Sequence, residues 1–261
     1  MRDPSLMAAV SQLLQDVAAS AILPRWKALA AGDITEKAPN DFVTIADQES
    51  EARLTEALAR LVPGSHVIGE EAVAATPDLL DGVGNGLVWL VDPLDGTGNF
   101  IAGRPDFAVM VALVDAGQVK AGWVYQPAYG RLYQAQAGGG AQCNGLAVRV
   151  QGSGNPGWVG AFPTRHAAPA QQEVINRLKA RVDVALPGLL CAGVDYTRCL
   201  DGTQDFALFW RSLPWDHAPG SLILTEAGGW AGWRDGTPYR VGDQRPGLMA
   251  LSTPDLLAQL G

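Results

Sequence analysis

Cysteine is rare in this chain of 261 residues, and its three copies are not spaced like metal ligands. Cys143, Cys191 and Cys199 include no Cys-x-x-Cys pair, and their odd number argues against a disulfide framework. We therefore expect reduced thiols within a protein core, which is typical of cytosolic proteins. The predicted location is cytoplasmic.

Basic residues are also in short supply. Nineteen lysines and arginines stand against 27 aspartates and glutamates, which gives a net charge of −8. A nucleic-acid-binding surface needs a cluster of basic residues, and the chain shows none. We expect no nucleic-acid partner.

Long apolar runs are absent as well. No uninterrupted apolar stretch reaches the roughly 18 residues that a membrane-spanning helix needs. Acidic and amide side chains interrupt the first 14 residues, which argues against a signal peptide. We expect no membrane partner. Hydrophobic residues make up 48% of the chain and charged residues 18%, which is enough material for one large domain or two modest ones.

Apolar spacing predicts two helices in the first part of the chain. Residues 5–31 have the pattern of an amphipathic helix, with a kink at Pro24 and an end at Gly32. The polar residues 33–40 predict a loop. Residues 48–61 predict a second helix with Asp47 as its N-cap.

Strand patterns follow the two helices. A short strand at residues 66–68 leads to Glu70 and Glu71 in a predicted loop, and residues 87–91 predict a strand buried on both faces. An antiparallel meander is predicted at residues 107–115, 119–126 and 132–136.

The Gly- and Ser-rich segment 151–157 is the best domain boundary, which divides the chain into 1–152 and 153–261. The second part predicts strands at residues 158–162, 184–190 and 248–251, and helices at 170–182 and 216–226. The fold class is mixed α/β of the α+β type, with N-terminal helices on an antiparallel sheet and a smaller C-terminal α/β half.

The buried strand at residues 87–91 ends in Asp-Pro-Leu-Asp-Gly-Thr, residues 92–97. Asp92 and Asp95 leave the strand through a tight turn, so their carboxylates can converge and would repel each other unless a cation lies between them. Carboxylate oxygens suit a hard ion such as Mg²⁺. An ordinary turn at a strand end is the alternative interpretation.

Several segments resemble the signatures of the inositol monophosphatase family, whose members are Mg²⁺-dependent, lithium-sensitive sugar phosphatases. The main one is Asp-Pro-Leu-Asp-Gly-Thr-Gly-Asn-Phe at residues 92–100, and the second is Trp-Asp-His-Ala-Pro-Gly at residues 215–220. Gly69-Glu70-Glu71 is similar to a third, with weaker matches at residues 41–47 and 226–229. Together these segments cover roughly residues 37–250 in the order of the family.

The resemblance implies a layered αβαβα fold and two Mg²⁺ ions, with a third, weaker ion as an option. The implied metal ligands are Glu70, Asp92, the Leu94 carbonyl, Asp95 and Asp216, with Asp92 shared between two ions. Thr97, oriented by Asp47, would position a metal-activated water together with Glu70. The amides of Gly96 and Thr97 would bind the phosphoryl group together with Asp95, and Lys37 would lie in a mobile loop near the metals.

The resemblance also bears on the substrate, which is expected to be a small polyol or sugar phosphate. Ala192 and Phe209 fall where relatives contact it, and inositol-specific members carry a glutamate at the place of Phe209, four residues after Asp205. A phenyl ring offers no hydrogen-bond acceptor. We therefore expect that inositol monophosphate is not the best substrate.

Alternative substrates are fructose 1,6-bisphosphate, histidinol phosphate and an adenosine 3′-phosphate. A further alternative is a non-catalytic regulatory or binding protein on the same fold. The expected assembly is a homodimer. No histidine is required for the implied chemistry: His217 lies inside a signature but is not assigned a catalytic role, and His66 and His166 are expected to be structural or exposed.

Overall fold

The computed structural model describes residues 3–163 and 168–260, so His166 lies outside the described residues. Its helices are α1 Pro4–Val17, α2 Ile45–Leu61, α3 Glu70–Ala75, α4 Thr97–Ile101, α5 Pro169–Lys179, α6 Ala192–Leu200, α7 Pro214–Glu226 and α8 Asp255–Leu260. Its strands are β1 Ile34–Ala38, β2 Asp41–Thr44, β3 His66–Gly69, β4 Leu87–Asp95, β5 Ala108–Asp115, β6 Gln118–Gln126, β7 Arg131–Gln136, β8 Ala141–Cys143, β9 Leu146–Val148, β10 Val159–Phe162, β11 Val184–Pro187, β12 Phe206–Phe209, β13 Trp230–Trp233 and β14 Leu248–Leu251.

The strands form one large sheet, one smaller sheet and a separate hairpin. The large sheet has the order β3-β4-β5-β6-β7-β8-β9 and is antiparallel except for the parallel pair β3 and β4. The smaller sheet has the order β11-β10-β12-β14-β13, with its first three strands parallel. Strands β1 and β2 pair only with each other.

Alternating side chains of β4, β5 and β6 point to opposite faces of the large sheet and thereby set the layers. Trp89, Val109 and Trp123 lie on the face that packs against α1 and α2. The other face packs against the central helices α6 and α7. The smaller sheet covers these two helices with small residues such as Ala207. Its far face packs against α5 and α8 through Phe206 and its neighbours. This order of layers confirms the αβαβα prediction.

The central helix α7 lies between two sheets and approaches the large one closely. A Cβ atom added to Gly122 of β6 would lie 2.9 Å from Cα of Pro219 in α7. Glu226, at the last turn of α7, accepts hydrogen bonds from the backbone N–H groups of Gly138 at 2.6 Å and Gly140 at 2.8 Å. The glycine triplet at residues 138–140 is therefore a turn that anchors α7.

The N-terminal helix is shorter than predicted. The regular α-helix ends at Val17. A π-helical turn at Ala18–Ile22 and a 3₁₀ turn at Leu23–Arg25 complete the helical stretch. Pro24, which has no N–H group to bond the carbonyl of Ser20, lies in the last of these turns, so the helical stretch ends at Arg25 and not at residue 31.

By length and composition alone, the stretch Pro4–Arg25 could cross a bilayer. Its side chains Val10, Leu14 and Ile22, however, are fully buried in the core against the large sheet, which accounts for its apolar character.

Other predictions of local structure were also wrong. The loop predicted at residues 33–40 contains β1, because the polar residues of this strand pair with β2 around a turn at Asn40, where φ is +63°. Glu70 and Glu71 open α3 rather than lying in a loop. The strand predicted at residues 184–190 ends at Pro187. Helix α6 and strands β12 and β13 were not predicted. The division into 1–152 and 153–261 stays a prediction.

We expect Gly122→Ala to destabilise the protein by about 1–3 kcal/mol, because the added methyl group has to displace the backbone of α7. Urea unfolding measures the change. Gly84→Ala is the matched control, since a Cβ atom at Gly84 would have no neighbour within 4 Å. Equal stability of the two variants would contradict the close packing of β6 against α7.

Candidate metal and phosphate site

An irregularity at the end of β4 brings its two aspartates to one side. Asp92 pairs with Met110 and Asp95 with Ala108, so three steps along β4 correspond to two along β5. One extra residue in a strand shifts the alternation of faces, so side chains three positions apart can lie on the same side. Both carboxylates line one cavity of about 510 Å³, and both are buried. Oδ1 of Asp92 accepts a hydrogen bond of 3.0 Å from the N–H of Leu94.

Asp95 is held by the start of helix α6. Its Oδ2 accepts a hydrogen bond of 2.7 Å from the backbone N–H of Gly193 and lies 3.2 Å from Sγ of Cys191. Neither residue was among the predicted site residues, because nothing in the local pattern indicated a helix at residues 192–200. Ala192, which was predicted, lies between them and lines the cavity.

Gly96 and Thr97 follow Asp95 at the start of α4. Gly96 has a φ of +85°, and a Cβ atom there would lie 2.8 Å from the carbonyl oxygen of Asp106, so only glycine fits. The Thr97 hydroxyl lies 3.0 Å from both Oδ1 of Asp47 and the carbonyl oxygen of Leu94. The contact expected between Thr97 and Asp47 is therefore present.

Asp47 is not the N-cap of α2, as the sequence predicted. Thr44 is the cap, and Asp47 lies at the third helical position, where its Oδ2 accepts a hydrogen bond of 2.8 Å from the N–H of Thr44. The Thr44 hydroxyl in turn accepts a hydrogen bond from the N–H of Ala46. The other oxygen of Asp47, Oδ1, is left to face Thr97. Burial raises the pKa of Asp47 to about 6 despite the hydrogen bonds from Thr44.

Lys37 of the hairpin contacts Glu70 and Glu71 at the start of α3. The Nζ atom of Lys37 lies 3.0 Å and 3.1 Å from the two carboxylate oxygens of Glu71, and 3.6 Å from Oε1 of Glu70. Lys37 belongs to strand β1, so the prediction of a loop residue was wrong, but its predicted position near the acidic site agrees with these contacts. Burial, followed by the charge of Asp216, raises the pKa of Glu70 to about 8.

Asp216 reaches the same cavity from the other half of the chain. It lies at the third position of α7, where the exposed N–H groups of the first turn favour a negative charge. Burial and the charge of Asp95 nevertheless raise the pKa of Asp216 to about 7. Burial also raises the pKa of Asp95 to about 7 and that of Asp92 well above its ordinary value.

The donor set of this cavity fits a hard divalent cation in its chemistry. Glu70, Asp92, Asp95 and Asp216 offer only carboxylate oxygens, and burial and mutual repulsion disfavour their charged forms when no cation is bound. Within residues 3–163 and 168–260, no three acidic, histidine or cysteine side chains are already arranged to hold one ion. The ammonium group of Lys37 lies against Glu70 and Glu71 in this arrangement.

Part of the cavity wall is aromatic. Phe209 lines it and stacks on Tyr196 with ring centroids 5.2 Å apart and an interplanar angle of 21°. Its other neighbour is His217, at 4.8 Å between centroids.

His217 is fully engaged inside the protein. Its Nε2 lies 2.8 Å from the carbonyl oxygen of Arg211 and must be the donor, so its Nδ1 accepts from the Tyr196 hydroxyl at 3.2 Å. Burial lowers the pKa of His217 to about 4, so the ring is neutral. It supports Phe209 and has no free nitrogen for proton transfer.

We expect the metal-free protein to lose stability as the pH rises from about 5.5 to about 8. Glu70, Asp95, Asp216 and Asp47 have pKa values of about 8, 7, 7 and 6, above those of unfolded chains, so the folded state binds more protons in this range. The extra protons that these carboxyl groups bind in the folded state stabilise it fully at a pH below their pKa in the unfolded chain. This stabilisation is lost as the pH rises through their pKa in the folded protein.

Thermal unfolding in a chelator should show a decrease of several degrees, since about 1 kcal/mol corresponds to about 2–4 °C for a chain of this size. Saturating Mg²⁺ should remove most of the decrease. The same decrease with and without Mg²⁺ would contradict a cation at these carboxylates.

Comparisons with known proteins identify the family of this chain. Over 229 residues, the chain is 35% identical to a fructose-1,6-bisphosphatase/inositol-1-monophosphatase of Aquifex aeolicus, covering 84% of this chain and 82% of the relative. It is 34% identical over 202 residues to a protein of Vibrio cholerae named Nus factor SuhB, covering 74% of this chain and 72% of that relative.

A solved IMPase structure from Thermotoga maritima superposes with a TM-score of 0.81 at 25% identity, covering 97% of this chain and 96% of the other. A sequence model of the inositol monophosphatase family matches residues 3–259. The chain therefore belongs to the inositol monophosphatase family.

Proposed function

We propose that this protein is a Mg²⁺-dependent phosphomonoesterase that hydrolyses a small polyol or sugar phosphate. The observation that carries the proposal is the convergence of Glu70, Asp92, Asp95 and Asp216 on one cavity, beside a threonine hydroxyl held by a buried aspartate. Family membership and the names of relatives such as that of Aquifex aeolicus support the same reaction class.

The carboxylates of Glu70, Asp92, Asp95 and Asp216, with the carbonyl of Leu94, would hold two ions, with a third ion as an option. When bound, divalent ions would neutralise the phosphate charge and lower the pKa of a water molecule at the site. The protein has a net charge of −8, which would repel a phosphate ester. Ions held by these residues would reverse the sign of the local charge where the ester binds.

Thr97 and Asp47 are proposed to orient the attacking water together with Glu70. Oδ1 of Asp47 lies 3.0 Å from the Thr97 hydroxyl and accepts a hydrogen bond from it. The Thr97 oxygen then presents its lone pairs to the cavity, where they can accept a hydrogen bond from water. The backbone N–H groups of Gly96 and Thr97 lie at the start of α4 and are assigned to the phosphoryl oxygens.

Asp92→Asn is expected to lower Mg²⁺-dependent phosphate release at least about a hundredfold, or about 3 kcal/mol, while the fold is kept. The reason is that Asp92 is the ligand assigned to both ions, and its buried carboxylate is near enough to Glu70 and Asp95 for their charges to raise its pKa.

The assay is release of phosphate from a panel of phosphomonoesters with and without Mg²⁺. Asp78→Asn removes a carboxylate from the exposed surface and serves as the matched control. Near-normal Mg²⁺-dependent turnover by Asp92→Asn would rule out the shared-ligand arrangement.

Phe209 is proposed to disfavour inositol phosphate among the possible substrates. Its ring lines the cavity and is fixed by Tyr196 on one side and His217 on another. A polyol hydroxyl placed against this ring loses its water without gaining an acceptor, which costs about 1–3 kcal/mol. Fructose 1,6-bisphosphate, histidinol phosphate and adenosine 3′-phosphate stay alternatives within the same chemistry.

Phe209→Glu is expected to raise kcat/KM on inositol 1-phosphate, relative to the best other substrate of the panel, by about tenfold to a hundredfold. Phe209→Leu replaces the ring by a smaller apolar side chain without adding a hydrogen-bond acceptor. This variant should show no such rise in kcat/KM on inositol 1-phosphate. The idea fails if inositol 1-phosphate is already the best substrate of the unmodified protein.

A regulatory or binding role is the second candidate function. It is favoured by one observation, that relatives such as the Vibrio cholerae protein carry the name Nus factor SuhB. Mg²⁺-dependent phosphate release by the purified chain would support the enzyme, and its absence over the whole panel would support the binding role. The homodimer, lithium sensitivity, the cytoplasmic location and the absence of a nucleic-acid partner stay predictions.

A further inference from the structure

Helix α3 begins with the candidate ligand Glu70, and its first turn is capped by a side chain from another helix. The carboxylate of Glu51, in the second turn of α2, accepts hydrogen bonds of 2.8 Å from the N–H groups of Glu71 and Ala72. These are the second and third residues of α3. The N–H groups at this end of a helix have no partner within it, and here one carboxylate binds two of them.

The chain preceding α3 is shaped to admit this carboxylate. Residue 69 is a glycine, and a Cβ atom at that position would overlap the carboxylate of Glu51. The backbone of Gly69 has an ordinary negative φ of −102°, so its conformation does not require glycine. The close approach of Glu51 is therefore what requires a residue without a side chain here.

Glu51 is buried, with 7% of its surface exposed. It faces the backbone, whereas Lys37 holds the side chains of Glu71 and Glu70 from the hairpin. Gly69 pairs with Val91, the residue that precedes Asp92 in β4, so the capped turn starts close to Asp92. A shift of this turn would move Glu70 relative to Asp92.

We infer that Glu51 is a positioning residue that fixes the first turn of α3 and thereby places the Glu70 carboxylate at the metal site. The inference rests on the proposed function, since it requires that Glu70 binds a divalent ion. Groups that orient metal ligands typically change metal affinity by about 10- to 100-fold when they are replaced.

Two variants test the same contact from its two sides. Glu51→Gln keeps the size of the side chain but turns one acceptor oxygen into an NH₂ group facing a backbone N–H. Gly69→Ala leaves Glu51 intact but pushes its carboxylate away from α3. The control is Glu56→Gln, which changes an exposed carboxylate on the same helix that pairs with Arg60.

The main readout is the dissociation constant for Mg²⁺ alone, measured by calorimetry on chelator-treated protein without substrate. We expect it to rise about tenfold or more in both variants and to stay unchanged in Glu56→Gln. In phosphate-release assays, raising Mg²⁺ should restore most of kcat in Glu51→Gln with little change in substrate KM.

A purely structural role for Glu51 predicts a lower melting temperature with an unchanged Mg²⁺ dissociation constant, and this result would overturn the inference. Failure of both variants to fold would also overturn it, because Glu51 would then serve the fold rather than the site. Absence of Mg²⁺ binding by the unmodified protein would overturn the proposed function as well. An unchanged constant in both variants, alongside normal binding by the unmodified protein, would overturn the inference alone.

Discussion

Repulsion among buried and half-buried carboxylates is the constraint on which the rest of the site depends. Glu70, Asp92, Asp95 and Asp216 lie around one cavity, and burial together with the neighbouring charges raises the pKa of each. Such a cluster lowers the stability of the folded protein at neutral pH whenever no cation is bound. The cluster is understandable when a divalent ion provides the opposing charge.

The backbone around the cavity reduces this repulsion before any cation binds. Asp95 accepts a hydrogen bond from Gly193 at the start of α6, and Asp216 lies in the first turn of α7. Glu70 is the first residue of α3. The positive ends of these helices therefore point toward the acids. Lys37 adds the only ammonium group that contacts these acids within the described parts of the chain.

The layered architecture explains how residues far apart in sequence meet at this point. Helices α6 and α7 lie between the two sheets, so their N-termini can reach the end of β4 in the large sheet while their far sides pack against the smaller one. Gly122 and Gly193 allow this close approach, since a side chain at either position would press on its neighbours. Packing of the central layer is thus directly linked to the geometry of the site.

The local patterns predicted much of the fold because the apolar segments of β4 to β7 are separated by Gly and Pro turns and the helices α2 and α7 have clear ends. They failed where polar sequence forms structure through pairing, as in β1, or where a helix is short and buried on all sides, as in α6. Signature residues such as Asp92, Asp95 and Thr97 could be assigned from resemblance. The partners that hold them could not.

Gly193 shows the reason for this limit. Its contribution is a backbone N–H group, which every residue but proline has, so no side-chain pattern distinguishes it. Glu51 presents the same difficulty, because a glutamate in the middle of a helix is usually solvated. Both roles depend on which elements meet in space, and only the three-dimensional arrangement supplies that information.

The four carboxylates are proposed to form a divalent-cation site. Anomalous diffraction from crystals soaked in Mn²⁺, which prefers oxygen ligands as Mg²⁺ does, tests it most directly. We predict anomalous peaks at about 2–2.5 Å from carboxylate oxygens of Asp92 and of its neighbours Glu70, Asp95 and Asp216. A cavity without any peak at saturating Mn²⁺, with Lys37 still paired to Glu71, would contradict the account.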